Sequence, residues 1–100
     1  MPYVLSPAAD DDAFDLVRAA TRYSLRHGRV INAELEDLLE RIGDNPGIGA
    51  FKPVITHQPY RFKLFRDQWW VVYKDVPKGQ MVEIIRILWV HHDLVTALLD

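Results

Sequence analysis

Three groups of residues in this chain have types and spacings that could support chemistry, and each is bounded by a physical constraint. Arg86 lies within Val82-Glu-Ile-Ile-Arg-Ile-Leu-Trp89, a run that reads as one strand. Strict alternation puts Val82, Ile84, Arg86 and Leu88 on one face and Glu83, Ile85, Ile87 and Trp89 on the other. Both faces are mostly apolar, so the strand is expected to be central and covered on two sides. A guanidinium in such a face is costly unless it is paired or opens onto a groove. Just beyond the strand stand His91-His92-Asp93. Imidazole is the side chain whose ordinary pKa lies near neutrality, so this pair could give or take a proton. A shared metal ion is not expected, because adjacent residues diverge in both strand and helix. His57 has no partner nearby in sequence. One of the paired histidines is expected at the cap of a final helix and the other in solvent.

The third group is Trp69-Trp70. Neighbours on a strand face opposite sides of a sheet, so one layer of helices can cover only one of them. The other indole, with part of the Arg86 face, must be covered by the C-terminal helix or by a partner chain. An aromatic and arginine surface of that kind suits a protein-binding groove. The turn-rich Gly43-Asp-Asn-Pro-Gly-Ile-Gly-Ala50 is not a phosphate loop, since no Gly-Lys-Ser/Thr ending is present and the segment leaves a helix instead of entering one.

These groups need elements to hold them. Tyr3-Val4-Leu5 reads as a short strand, and Ser6-Pro7 as an N-cap with proline in the first helical position. Helix one is expected from about Pro7 to His27, with Ala9, Ala13, Leu16, Ala20 and Tyr23 at helical spacing and Gly28 as its stop. Helix two is expected over about Ile31 to Ile42, antiparallel to the first. The charged rows Arg18, Arg22, Arg26 and Glu36, Asp37, Glu40 are expected to be solvated or to pair across that hairpin. From Tyr60 the period becomes two: Tyr60 to Phe65 and Gln68 to Lys74 form a hairpin turning at Arg66-Asp67. Val82 to Trp89 comes next, then a short helix starting near Asp93. The expected fold is α+β, ordered β-α-α-β-β-β-α, with a helical hairpin packed on one face of a mostly antiparallel sheet.

One hundred residues make one domain, 49% apolar and 26% charged. No apolar run is long and uncharged enough to span a membrane, and no secretory leader pattern opens the chain. The chain has no cysteine, which excludes disulfides and thiolate metal sites and fits a cytoplasmic setting. The first fifty residues hold five Arg against nine acids, the second fifty seven Lys or Arg against five acids, and the net charge is -2. That balance argues against a dedicated nucleic-acid binder, which usually has a strongly basic one.

Taken in order, the residues resemble a known family. Tyr3-Val-Leu-Ser-Pro-Ala-Ala9 is similar to the opening of the RelE/ParE toxins of bacterial toxin–antitoxin pairs, as is Leu38-Leu-Glu-Arg-Ile-Gly-Asp-Asn-Pro46 with Gly49 after it. Arg61 resembles the arginine opening that family's second strand, and Tyr73 the tyrosine closing its third. Val82-Glu-Ile-Ile-Arg-Ile-Leu88 with Asp93-Leu94 looks like the ParE branch. The chain departs from the family where Trp89 replaces a usual histidine, Val90 a glycine, and His91-His92 a basic pair.

The resemblance implies a toxin that binds and stalls DNA gyrase, with no chemistry and no cofactor of its own, and that is silenced by a cognate antitoxin in a hetero-oligomer. The antitoxin would be a small DNA-binding protein whose disordered segment folds onto the toxin as a helix or an added strand. Trp69, Trp70, Arg86, Leu94 and Leu98 are the expected antitoxin contacts, and Arg61, Arg66, His91 and His92 the expected target contacts. The RelE branch instead cuts messenger RNA on the ribosome, which needs a base, a cation and an acid. For that alternative Arg61, Lys63, Arg66 and Arg86 would supply the cation, and His91 or His92 the acid or base. The chain has no tyrosine after Tyr73, whereas RelE-like nucleases typically end with one. A non-toxic protein-binding module of the same fold is the third reading.

Overall fold

The computed structural model describes residues 3–77 and 79–99. Its elements are β1 (Tyr3–Leu5), α1 (Pro7–Thr21), α2 (Leu25–Asp44), a 3-10 turn (Pro46–Ile48), β2 (Ala50–Phe51), β3 (Tyr60–Phe65), β4 (Trp69–Lys74), β5 (Val82–Trp89) and α3 (Leu94–Ala97). The five strands form one sheet in the order β1-β5-β4-β3-β2. β1 runs parallel to β5, and the other pairs are antiparallel. The α+β class and the element order expected from the sequence both hold, with the short edge strand β2 added.

Ser6 starts α1 as its type and position require. Its hydroxyl accepts from Ala9 N at 3.0 Å and donates to Ile85 O at 2.7 Å, so one cap also ties the helix to β5. The boundary between the helices differs from the sequence reading. α1 ends at Thr21, and Gly28 lies inside α2. The stronger local signal is Ser24, an extended N-cap whose Oγ accepts from His27 N at 3.0 Å. Gly28 serves packing instead: a Cβ there would come within 2.2 Å of Thr21 Oγ1. Among the described residues the charged rows form no ion pair across the hairpin. Arg18 meets Asp15 and Arg41 meets Asp37, each within its own helix.

The helical hairpin packs on one face of the sheet. Leu16, Ile31, Leu35, Leu38, Leu39 and Ile42 bury against Phe65, Val71, Tyr73, Val82, Ile84 and Ile87. Full burial of each such aliphatic side chain stabilises the fold by about 1.5–3 kcal/mol before the opposing entropy of ordering is subtracted. A smaller core lies on the opposite face, where Phe62, Val72, Leu88 and Leu98 meet half-buried Trp70, Ile85 and Leu94.

β5 is interior, as its two apolar faces require, but its faces are not those of strict alternation. Val72 pairs with Arg86 while Tyr73 pairs with Ile84, so β5 carries one extra residue at this point. Such a bulge resets the side-chain parity. Ile87 therefore joins Val82 and Ile84 in the helix-side core, and Leu88 joins Ile85 on the far side.

Candidate functional site

The residues singled out from the sequence fall into four places. Arg86 is half-buried and paired: Nε donates to Asp12 Oδ2 at 2.7 Å and Nη2 to Asp12 Oδ1 at 3.1 Å. The Asp12 hydrogen bonds lead in raising the guanidinium pKa above its ordinary value, against an opposing contribution from burial. The same carboxylate accepts from Ile87 N at 2.9 Å, taking up a backbone group on the edge of β5 beyond the end of β1. Of the two ways to accommodate this charge, pairing or opening onto a groove, the structure shows pairing within the chain. Asp12 lies on the first helix and satisfies it from within the fold.

Arg61 is the second. Nε donates to Asp75 Oδ1 at 2.8 Å, Nη1 to Gly49 O at 2.8 Å, and the guanidinium lies 4.3 Å from the centroid of the Phe51 ring. Beside it the buried Tyr73 hydroxyl accepts from Gly49 N at 2.7 Å and donates to Pro46 O. Burial is the main cause raising the Tyr73 pKa, offset in part by the Gly49 hydrogen bond and by Arg61. Arg61 and Tyr73 thus lock the 3-10 turn and β2 against the sheet. This is a structural clamp at one end of β3.

The third place is the far face of the sheet. Trp70 stacks edge-on to Phe62 at 6.0 Å, with Lys52 Nζ 4.7 Å from its ring centroid. The chain's own last helix covers part of this face: Leu98 is 7% exposed within that core, and Leu94 is half-buried. Asp93, and not one of the paired histidines as expected, caps the helix, its carboxylate accepting from Thr96 N and Thr96 Oγ1, and the Thr96 hydroxyl is the leading cause of a carboxyl pKa below its ordinary value. Of the two ways to cover this face left open by the sequence, the C-terminal helix takes part of it.

The fourth place brings residues together. Trp69 and Trp89 are register partners at the ends of β4 and β5, and Val90 N donates to Gln68 O at 2.9 Å. That bond holds the His91-His92 turn against the β3–β4 turn carrying Arg66. His91 packs edge-on to Trp89 at 4.6 Å, both histidines are exposed, and Trp89 is 55% exposed. Arg66 Nη1 contacts Glu34 Oε1 of α2 at 2.5 Å. Arg66, His91 and His92 therefore share one end of the sheet, whereas Arg61 sits at the other end of β3, roughly 15 Å away at the rise of a strand.

A cleft of about 600 Å³ opens at this shared end, lined by Leu16, Ala20, Tyr23, His27, Ile31 and Trp69, with Arg66 and Gln68 at the hairpin turn. The α1 and α2 residues of this cleft were not foreseen as site residues. The available signal was Tyr23-Ser24-Leu25-Arg26, where an aromatic and an aliphatic side chain flank a helix cap and remain largely exposed, Tyr23 at 88%. Among the described residues no group of three or more His, Asp or Glu side chains is placed to hold a metal ion. No described helix is long and apolar enough to cross a membrane.

No family model matches this chain, and no curated protein matches it. Solved structures do. The chain is similar to the chromosomal ParDE TA system from P. aeruginosa, with a TM-score of 0.72, 16% identity, and coverage of 91% of this chain and 97% of that one. It is also similar to the YoeB/ParE toxin from Agrobacterium tumefaciens, with a TM-score of 0.59, 18% identity, and coverage of 91% and 100%. The chain has the fold of the RelE/ParE toxins across nearly its whole length.

Proposed function

We propose, from this RelE/ParE toxin fold, that the chain is the toxin of a bacterial toxin–antitoxin pair, that it acts as a ParE-like inhibitor of DNA gyrase, and that a cognate antitoxin neutralises it. The observation that carries the reading is the match to the ParDE structure over 91% of this chain and 97% of that one. Arg66, His91 and His92, grouped beside Trp89, make the contact with the target. Arg61 and Arg86 act within the fold, both paired and less exposed than Arg66, whose carboxylate partner Glu34 is itself at the surface.

The runner-up, ribosome-dependent RNA cleavage, is favoured by the YoeB/ParE match. Against it stands the pairing of its arginines, since even Arg66, the one grouped with the histidines, holds Glu34. Arg61 and Arg86 are engaged with Asp75 and Asp12, and Arg61 lies at the opposite end of β3 from the histidines. A phosphate-stabilising cation must converge with the acid and base on one reacting atom.

Controlled expression in bacteria without the antitoxin separates the readings. Filamentation with a DNA-damage response, and linear DNA in a gyrase supercoiling assay, is the expected result. Rapid translation arrest with cuts in ribosome-bound message, abolished by Arg66→Ala with His92→Ala, would establish the nuclease instead. Healthy growth would leave a non-toxic binding module.

A further inference from the structure

Asp10, Phe14, Arg18 and Arg22 recur every fourth residue and form one ridge along α1, which Arg22 closes as a C-cap still in the helical conformation. Arg29, Asn32, Glu36 and Glu40, three or four residues apart, form a matching ridge along α2. The two ridges share a face. Between them lies a groove of about 310 Å³, lined by Asp10, Phe14 and Val17 of α1, Asn32 and Glu36 of α2, and Tyr3 of β1. Phe14 is 65% exposed. Charge on this face is sorted by end. Asp10, Glu36 and Glu40 stand towards β1, and Arg22 and Arg29 towards the α1–α2 junction. All five are exposed, and none has an ion pair among the described residues. Glu36 takes a neutral hydrogen bond from Asn32 Nδ2 at 3.0 Å, which leaves its charge uncompensated. Arg18 and Asp15, in the middle, offset each other at 3.6 Å. Burial leads in raising the Tyr3 pKa, and Glu36 and Glu40 add to it, so their negative field reaches the groove.

Turning the hairpin end for end exchanges its acidic and basic ends, so this face is complementary to itself in an antiparallel arrangement. We infer that it is the contact between two copies of the chain, related by a two-fold axis near Phe14 and Val17. Arg22 and Arg29 of each copy are set against Asp10, Glu36 and Glu40 of the other. The Phe14 side chains pack near the axis, where each loses the water that now covers most of it. The ridges are about 18 Å long at the rise of a helix and about 8–10 Å apart, so the face is smaller than the roughly 800 Å² per partner of a standard interface. The dimer is therefore weak, and salt screens the charge pairs that set its register. This inference goes beyond the toxin reading and does not depend on it.

Sedimentation equilibrium of the purified full chain at low salt tests this. A reversible monomer–dimer equilibrium is expected, shifting towards monomer as salt rises. Phe14→Glu should weaken the dimer by about tenfold or more while leaving the urea midpoint unchanged, because the side chain is exposed in the single chain. Two charge-swapped proteins probe the register. Arg22→Glu with Arg29→Glu makes both ends of the face acidic, and Glu36→Lys with Glu40→Lys makes both ends mainly basic. Each protein alone is expected to be monomeric, and an equimolar mixture to form a heterodimer. That recovery on mixing also shows that both variants are folded. A wild-type chain that stays monomeric at millimolar concentration would overturn the inference, as would a dimer indifferent to Phe14→Glu or a mixture that remains monomeric. A monomeric chain that binds a peptide of lysines and phenylalanine, and loses it in the Glu36→Lys, Glu40→Lys protein, would give the groove to a basic partner segment and overturn the inference too.

Discussion

Arg86 on β5 and Asp12 on α1 meet through two hydrogen bonds, 2.7 and 3.1 Å long, across a sequence separation of 74 residues. The pair is 27% and 17% exposed, so solvent screens it only in part. With its bond to Ile87 N, the Asp12 carboxylate also joins helix to strand where β1 has ended. Removing the carboxylate leaves a half-buried cation and a backbone donor without partners. Asp12→Ala is expected to destabilise the fold by about 2 kcal/mol, measured by urea unfolding. Adding Arg86→Met should recover part of that loss, because the orphaned charge disappears with its partner. A double variant weaker than Asp12→Ala alone would refute this account.

Gly28 is a point of close approach in the helical hairpin. Alanine is ordinarily worth about 1 kcal/mol over glycine inside a helix. At this position its Cβ would meet Thr21 Oγ1 at 2.2 Å and Thr21 Cα at 3.2 Å, so overpacking outweighs propensity. Gly28→Ala should cost about 1–3 kcal/mol, and Thr21→Ala in the same chain should restore part of it. A Gly28→Ala protein with an increased thermal midpoint would remove the close-packing argument.

The β3–β4 turn holds Arg66 and Asp67 at positive φ, 54° and 56°. That region is strained for side-chain-bearing residues and free for glycine. Asp67→Gly is therefore expected to stabilise the chain by up to about 1 kcal/mol while keeping the Arg66–Glu34 contact, as read from the denaturant midpoint.

The Tyr73 hydroxyl is held protonated by burial, with its pKa raised above the ordinary 10.0. Its contribution is fully present below that value. As pH rises beyond it, the unfolded chain loses the proton first and the folded state loses ground. Stability should therefore decline steeply in strong alkali. In Tyr73→Phe this alkaline decline should flatten, with a loss of about 2 kcal/mol at neutral pH from the unpartnered Gly49 N and Pro46 O. Equal alkaline slopes for the two proteins would show that another group dominates.

Elements whose causes are local were readable from the residues alone. Ser6-Pro7 announced α1, period-two apolar runs announced β3 to β5, and Asp93 announced α3, because caps and alternation act over a few positions. The same locality explains the misplaced helix boundary, where two short-range signals competed and Ser24 prevailed over Gly28. Features that depend on partners distant in sequence were decided only in three dimensions. The bulge after Ile84 reversed the faces of β5, Asp12 claimed Arg86, and Gly49, Pro46 and Asp75 claimed Tyr73 and Arg61. The cleft beside Trp69 belongs to that second class. Its walls come from α1, α2 and the β3–β4 hairpin, and no periodicity within any one of them records how the others lie against it.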